Sequence, residues 1–161
     1  MRIAVVGSGY VGLVSGACFA DFGHHITCVA SNAEKIAALK SGVIPIYEPG
    51  LEDLVRSNSA AGRLEFTTDL AGTVARADVV FIAVGTPSRR GDGHADLSYV
   101  FAVAREIAAS VDGFTVVVTK STVPVGTSRK VEEILRKKRP DAQFDMASNP
   151  EFLREGSALE D

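Results

Sequence analysis

Short, largely apolar runs alternate with longer stretches of helical spacing along the chain. The runs at residues 3–6, 26–29, 64–67, 79–84, 116–118 and 144–147 predict six strands. Helical patterns cover residues 10–22, 51–57, 97–110 and about 127–138, and shorter helices follow the cap candidates Ser31, Asn32 and Asp69. Regular alternation of this kind is typical of parallel sheets covered by helices. The pattern therefore predicts an α/β fold, a Rossmann-like doubly wound parallel sheet with helices on both faces.

Composition narrows the classes of partner. The chain has 161 residues, of which 46% are hydrophobic and 23% charged, as in ordinary globular domains. Its net charge of −3 gives no basic face, so we expect no nucleic-acid partner. The apolar runs are far shorter than a membrane span, so we expect no membrane association. Cys18 and Cys28 lie in apolar stretches and predict reduced core thiols in a cytoplasmic protein, and no metal site is predicted.

A glycine-rich segment directly after the first strand carries the most specific chemistry. Residues 7–12 read G-S-G-Y-V-G and fit G-x-G-x-x-G, at the point where a helix begins. In this context Gly7 permits a tight turn, Gly9 lets a pyrophosphate approach the backbone, and Gly12 allows close packing of helix and strand. The amides at the helix start would then bind the phosphates. The segment predicts dinucleotide binding.

The end of the second strand lacks the acid that usually holds the adenosine ribose. Ala30 stands where Asp or Glu is expected, and it cannot accept hydrogen bonds from the ribose hydroxyls. The nearest cation is Lys35, while Ser31 and Asn32 offer weaker polar contacts. We therefore predict NAD as the cofactor, and NADP stays open as an alternative.

Further segments in the remaining chain resemble the signatures of the UDP-glucose 6-dehydrogenase family. They occur in the family's order over nearly the whole chain, and the wider group includes GDP-mannose and UDP-N-acetylmannosamine dehydrogenases. The first and last of them are closer to the UDP-glucose branch. The segments are Ile46-Tyr47-Glu48-Pro49-Gly50-Leu51, Val84-Gly85-Thr86-Pro87, Gly91-Asp92-Gly93-His94-Ala95-Asp96-Leu97-Ser98-Tyr99, Lys120-Ser121-Thr122-Val123-Pro124-Val125-Gly126-Thr127 and Asn149-Pro150-Glu151-Phe152-Leu153-Arg154-Glu155-Gly156.

The resemblance implies that residues 1–161 are the N-terminal NAD-binding domain of an enzyme that oxidises the C6 alcohol of UDP-glucose to a carboxylate. The family uses two NAD and a cysteine thioester; its catalytic cysteine and lysine lie in a later part of the protein. The whole protein is expected to be a homo-oligomer. The implied catalytic residues are Thr122, which would touch the cofactor and help hold a water, and Glu151, which would manage water and protons. The implied cofactor contacts are Tyr10, Val11, Val84, Gly85, Thr86, Pro87 and Thr122, and the implied sugar-nucleotide contacts are Glu151, Phe152, Leu153 and Glu155.

Without the resemblance, two of these positions have plainer interpretations. Glu151 follows Asn-Pro and could begin a helix, and Thr122 before Val-Pro could be a turn residue. Neither Cys18 nor Cys28 could replace the family's catalytic thiol, because they fall within the first helix and the second strand. A second hypothesis for the whole chain is a nucleotide-binding module that senses NAD or NADH without chemistry.

Overall fold

A computed structural model describes residues 1–91 and 93–160 of the chain. Asp92, part of one of the signature segments, and Asp161 lie outside the described residues. The strands are β1 (Arg2–Val6), β2 (His25–Val29), β3 (Leu64–Thr67), β4 (Val79–Ile82), β5 (Thr115–Thr119) and β6 (Phe144–Ser148). The helices are α1 (Tyr10–Asp21), α2 (Ala33–Lys40), α3 (Leu51–Ala60), α4 (Leu70–Ala75), α5 (Ser98–Ser110) and α6 (Thr127–Lys138).

All six strands pair in parallel in one sheet of order β3-β2-β1-β4-β5-β6. This is the strand order of doubly wound dinucleotide-binding folds, in which the order of the strands reverses between β1 and β4. The predicted fold class is confirmed. The carboxyl ends of β1 and β4 therefore flank the crevice where such sheets bind ligands.

Two hydrophobic clusters cover the two faces of the sheet. Ile3 and Val5 of β1 belong to the cluster that includes α1, α2 and α3, whereas Ala4 and Val6 belong to the cluster that includes α5 and α6. Successive side chains of a strand point to opposite faces, so β1 contributes to both cores. Its last four residues are buried, which explains why the strand is an unbroken apolar run.

Helix caps agree well with the sequence, and some element ends differ from it. Asn32 rather than Ser31 caps α2, where its Oδ1 accepts a hydrogen bond from Lys35 N at 2.9 Å. Asp69 caps α4 through a 2.9 Å bond from Gly72 N. Strand β4 ends at Ile82, before the predicted residue 84, and the Ile82 carbonyl accepts the amides of Lys120 and Ser121 at 2.9 and 3.0 Å. None of the helices within residues 1–91 and 93–160 is both long and apolar enough to cross a membrane.

Candidate functional site

The glycine turn joins β1 to α1 at the crevice. Gly7 has φ +124°, a conformation that favours glycine. A Cβ on Gly7 would overlap the carbonyl group of Ala83, at the end of β4. The amide of Gly7 donates to Val29 O at 2.9 Å, which ties the turn to the end of β2. Gly7 thus forms the predicted tight turn, and it also permits close backbone contact with residues at the ends of two neighbouring strands.

The other two glycines of the turn have different roles. A Cβ on Gly12 would overlap the carbonyl oxygen of Gly7 and would lie 3.5 Å from Val5 Cγ1, so a side chain here would separate the helix from β1. Gly9 is the N-cap of α1, and no heavy atom lies within 4 Å of the position of its Cβ. The first helical hydrogen bond runs from Leu13 N to Gly9 O at 2.9 Å. The amides of residues 10–12 precede that bond and are not capped by a side chain, so they can bind an anion.

A groove of about 520 Å³ runs beside this turn. Its volume falls in the range of roughly 300–1,000 Å³ that is usual for small-molecule and cofactor sites. It contains seven of the residues predicted to contact a cofactor, including the ribose position Ala30 and the Pro87 of the β4 loop. These seven are Gly7, Gly9, Ala30, Lys35, Val84, Gly85 and Pro87. The open space at Gly9, the uncapped amides and the volume of the groove together fit a dinucleotide.

The part of the groove beside the end of β2 is lined by Ala30, Ser31, Asn32 and Lys35. Ala30 is half-buried there, and its amide donates to Thr67 O at 3.1 Å, which fixes the end of β2 beside β3. The charged side chains that line the groove are Lys35 and Glu106. Asn32 also lines the groove, but its side-chain Oδ1 already accepts the hydrogen bond from Lys35 N that caps α2. A carboxylate for the ribose hydroxyls is therefore missing from the structure at the place where the sequence indicated its loss.

The loops after β4 and β5 lie against each other at the carboxyl edge of the sheet. The Thr86 hydroxyl donates to the Thr122 carbonyl at 3.0 Å, so the structure brings these two predicted site residues together. The Ser121 hydroxyl donates to Val84 O at 2.7 Å. The Thr122 side chain is exposed beside this contact. The turn of the β5 loop comes at residues 125–126, so the plainer interpretation of Thr122 as a turn residue is wrong. Thr122 lies in an irregular stretch before it, at the edge where ligands of such sheets bind.

Lys120 is a buried cation that the sequence analysis did not single out. It is 8% exposed, and its Nζ donates to Asn149 Oδ1 at 3.1 Å. Burial lowers its pKa, while the negative charge of Glu151 acts in the opposite sense, so Glu151 lies within electrostatic reach. Lys120 joins the end of β5 to the segment that carries Glu151.

Residues 149–158 cross the carboxyl edge of the sheet. The segment begins beside β5, where Asn149 N donates to Thr119 O at 3.0 Å. It ends beside α1 and α3, where Ala158 is buried in the same cluster as Leu51 and Val55. Since β5 and β1 are separated by β4 in the sheet, the segment bridges the crevice.

The predicted sugar-nucleotide residues lie along this crossing segment. Glu151 is half-buried, and its Oε2 accepts a hydrogen bond from Leu153 N at 2.9 Å. The segment is not helical at this point, so the interpretation of Glu151 as a helix start is wrong. Leu153 packs against the α1–α3 cluster, whereas Phe152 and Glu155 are exposed. Phe152 and Glu155 are thus the side chains free to meet a ligand.

Tyr10 does not line the groove with its side chain. Its hydroxyl donates to Glu48 Oε2 at 2.5 Å, on the side of α1 that faces the crossing segment. Burial, followed by the bond to the Glu48 carboxylate, raises the pKa of Tyr10 to about 12. Val11 packs against the α1–α3 cluster. Tyr10 and Val11 can therefore serve a cofactor through their backbone amides.

Both cysteines are unsuited to nucleophilic catalysis. Cys28 is fully buried in β2, and burial raises its pKa to about 12. Burial also raises the pKa of Cys18 in α1. A thiol with a raised pKa carries little thiolate at neutral pH, so the prediction that neither could act as the catalytic thiol agrees with the structure.

A second cavity, of about 270 Å³, lies at the opposite, amino edge of the strands. It is lined by charged side chains from the starts of several strands, including Arg2, Arg63 and Arg76. Arg2 is paired with Asp78 at 3.5 Å, and Arg63 donates to Ala20 O and Asn58 Oδ1. Ligands of open parallel sheets bind beyond the carboxyl ends of the strands, so the groove beside the glycine turn is the candidate site.

Comparison with known proteins agrees with this geometry. A family model, described as the NAD binding domain of the UDP-glucose/GDP-mannose dehydrogenase family, matches residues 1–161. The chain belongs to this family. It forms the family's NAD-binding domain, and the predicted NAD cofactor is confirmed at that level.

Individual relatives are similar over the whole chain. UDP-glucose 6-dehydrogenase from Rhizobium meliloti is 68% identical over 161 residues, which are 100% of this chain and 37% of that protein. The Pseudomonas aeruginosa UDP-glucose 6-dehydrogenase is 53% identical over 165 residues, covering 100% of this chain and 36% of that protein. This domain thus spans a little over a third of the length of the curated relatives it matches.

Solved structures of the family superpose closely. A ternary complex of GDP-mannose dehydrogenase from Pseudomonas aeruginosa has a TM-score of 0.95 at 39% identity, covering 100% of this chain and 38% of that chain. A UDP-glucose dehydrogenase from Pyrobaculum islandicum has a TM-score of 0.93 at 44% identity, and the match covers 99% of this chain and 38% of that chain. The family's fold is therefore preserved throughout the described chain.

The open space at Gly9 allows a test of whether the amides of residues 10–12 bind the pyrophosphate of NAD. Gly9→Val should lower NAD affinity by roughly a hundredfold or more, because it blocks the pyrophosphate from amides whose charge-assisted bonds are worth about 1.5–3 kcal/mol each. Its thermal unfolding midpoint should change little, since no atom crowds the Cβ position. Gly12→Val is the matched control and should lower the midpoint, because its Cβ overlaps Gly7 O. Calorimetry that shows unchanged NAD affinity for a folded Gly9→Val variant would mean that the pyrophosphate does not bind at these amides.

Ala30 generates a second test. Ala30→Asp should tighten NAD and weaken NADP, because a carboxylate binds the ribose hydroxyls and repels a 2′-phosphate. A hydrogen bond to a charged group is worth about 1.5–3 kcal/mol, so the ratio of the two affinities should shift by at least about tenfold. The dissociation constants of both cofactors are measured for parent and variant at one salt concentration. An unchanged ratio would mean that the ribose does not lie against the end of β2.

Proposed function

We propose that the protein to which this domain belongs oxidises the C6 alcohol of UDP-glucose to a carboxylate with two NAD, giving UDP-glucuronate. One observation carries the proposal: the crossing segment with Glu151 and Glu155 lies over the same crevice as the glycine turn. A cofactor in the groove and a ligand on the segment would then meet at the carboxyl edge of the sheet. The 68% identity to the Rhizobium meliloti UDP-glucose 6-dehydrogenase supports this choice of sugar nucleotide.

The residues of this domain supply binding and orientation. The amides of residues 10–12 hold the diphosphate, and the wall from Val84 to Pro87 flanks the cofactor at the end of β4. NAD supplies the hydride acceptor when bound. The Thr86–Thr122 contact fixes the β4 and β5 loops against each other, so that the exposed Thr122 hydroxyl faces the reacting end and helps hold a water.

Glu151 is the candidate proton carrier. Its carboxylate is half-buried and is oriented by the Leu153 amide, which holds one oxygen. A carboxylate held within reach of a bound water can accept and return a proton. Phe152, Leu153 and Glu155 shape the sugar-nucleotide site around it.

Two alternatives concern the ligand and the class of protein. GDP-mannose or UDP-N-acetylmannosamine could replace UDP-glucose, because structures of both kinds of dehydrogenase share this fold at TM-scores of 0.95 and 0.92. Their identities to this chain, 39% and 31%, are lower than those of the UDP-glucose enzymes from Rhizobium meliloti and Pseudomonas aeruginosa. A module that only senses NAD is the other alternative. A cytoplasmic location and a homo-oligomeric whole protein remain predictions.

The stoichiometry of NADH formation tests the proposal. The full-length protein should release two NADH for each UDP-glucose consumed, and it should prefer UDP-glucose to GDP-mannose and UDP-N-acetylmannosamine. The 161-residue chain alone should bind NAD and form no NADH. Burial raises the pKa of both of its thiols, so neither can replace the catalytic cysteine. Absorbance at the NADH band follows both reactions.

Three results would contradict it in different ways. A preference for another sugar nucleotide would overturn the choice of substrate. No NADH from any sugar nucleotide by the full-length protein would favour the sensing module. Steady NADH formation by the 161-residue chain would show that the thiol chemistry was assigned to the wrong part of the protein.

A further inference from the structure

Glu48 is a buried carboxylate in the loop between α2 and α3. Glu48 is 5% exposed, whereas the adjacent Tyr47 is 87% exposed. The loop around them is irregular and contains prolines at positions 45 and 49. Burying a carboxylate costs free energy unless hydrogen bonds satisfy its oxygens. The loop therefore places Glu48 inward to meet specific donors.

Those donors come from two distant parts of the chain. Tyr10 OH donates to Oε2 at 2.5 Å, Gly156 N donates to Oε2 at 2.8 Å, and Ala158 N donates to Oε1 at 2.9 Å. Tyr10 also reaches the Arg154 carbonyl at 3.4 Å. The carboxylate thus connects the first residue of α1 with the far end of the crossing segment.

Through these bonds, Glu48 contacts both the glycine turn and the crossing segment. The Tyr10 amide belongs to the glycine turn, and its side chain is held by Glu48. The backbone directly after Glu155 is held by the same carboxylate. We propose that Glu48 is a positioning residue that fixes residues 151–155 of the crossing segment relative to the glycine turn, and so sets the affinity for the sugar nucleotide. The inference rests on the proposed function of that segment.

This role needs two accepting oxygens, which the Glu48 carboxylate provides. A glutamine has one accepting oxygen and one NH₂ group, which cannot accept a hydrogen bond. Whichever way the amide is turned, the amide of Gly156 or that of Ala158 faces a donor. Glu48→Gln preserves side-chain volume and removes one anchor of the segment, so the segment loses its set position.

The test uses steady-state kinetics of the full-length protein. Glu48→Gln should raise the KM for UDP-glucose by roughly tenfold or more, as expected for a lost hydrogen bond to a charged group. The KM for NAD should change less than about twofold, since the glycine turn keeps its own backbone contacts to β2 and β4. Glu52→Gln is the matched control: Glu52 is exposed on α3 and pairs with Arg56, and neither KM should change.

A second variant covers the case in which Glu48→Gln does not fold. Tyr10→Phe removes only the hydroxyl and leaves both backbone amides on the carboxylate, so it should raise the KM for UDP-glucose by a smaller factor, roughly threefold. Unchanged values of this KM in Tyr10→Phe and in any folded Glu48→Gln protein would overturn the proposal.

The titration of Tyr10 gives a readout that does not need activity. With ¹³C-labelled tyrosine, assigned through Tyr10→Phe, the Tyr10 resonance should titrate at a pKa of about 12 in the parent. In Glu48→Gln this pKa should fall but stay above the ordinary value near 10, because the bond to the carboxylate is lost while burial, the larger cause, remains. Because folding raises this pKa, the stability that depends on a protonated Tyr10 is complete below about pH 10 and is lost as the pH rises through about 12. A Tyr10 resonance with the same pKa in both proteins would contradict the contact.

The outcomes separate this inference from the proposed function. If the parent protein forms no NADH from UDP-glucose, the proposed function fails while the Tyr10 titration still decides whether Glu48 holds the turn. If the parent is active and Glu48→Gln raises the KM values for NAD and UDP-glucose equally, Glu48 supports the domain as a whole, and the positioning role is wrong.

Discussion

Close backbone contact at the end of β1 is the constraint on which the site depends. The Gly7 backbone lies against the Ala83 carbonyl, and the start of α1 at Gly12 lies against the Gly7 carbonyl. No side chain fits between these groups without displacing the backbone. This packing aims the uncapped end of α1 into the crevice between β1 and β4, so anion binding needs no basic surface. The slightly acidic net charge of −3 is consistent with that arrangement.

The second requirement is that a long, irregular segment cross the crevice in a fixed position. Irregular backbone needs partners for its polar groups. Here Lys120 and Asn149 hold one end of the segment, while Glu48 accepts the amides of Gly156 and Ala158 at the other. Buried charges at both ends leave the exposed side chains between them, Phe152 and Glu155, available to a ligand. The domain thus combines a rigid cofactor turn with a segment anchored by polar contacts.

Local patterns in the sequence were sufficient for the fold. The apolar runs predicted all six strands. Asp69 was visible as a cap before α4, and the cap of α2 was narrowed to Ser31 or Asn32, of which the structure has Asn32. The roles of Gly7 and Gly12 followed from their place between a strand and a helix.

Contacts between distant residues were not visible in this way. Glu48 meets amides 108 and 110 positions away, and nothing near it in the sequence indicates that it is buried. The direction of the Tyr10 side chain and the burial of Lys120 depend on the same long-range packing. Glu151 could have begun a helix after Asn-Pro, but its carboxylate accepts the Leu153 amide in a non-helical segment instead. Family resemblance marked these positions without explaining their geometry.

The central claim is that a dinucleotide binds along the carboxyl edge, from the glycine turn to the end of β2. The most direct measurement is an NMR titration of the ¹⁵N-labelled chain with NAD. Amide shifts should concentrate at residues 7–12, 30–35 and 84–86, while the amides of Arg63 and Arg76 at the amino-edge cavity should stay unchanged. Shifts confined to the amino edge, or absent from residues 7–12, would contradict it.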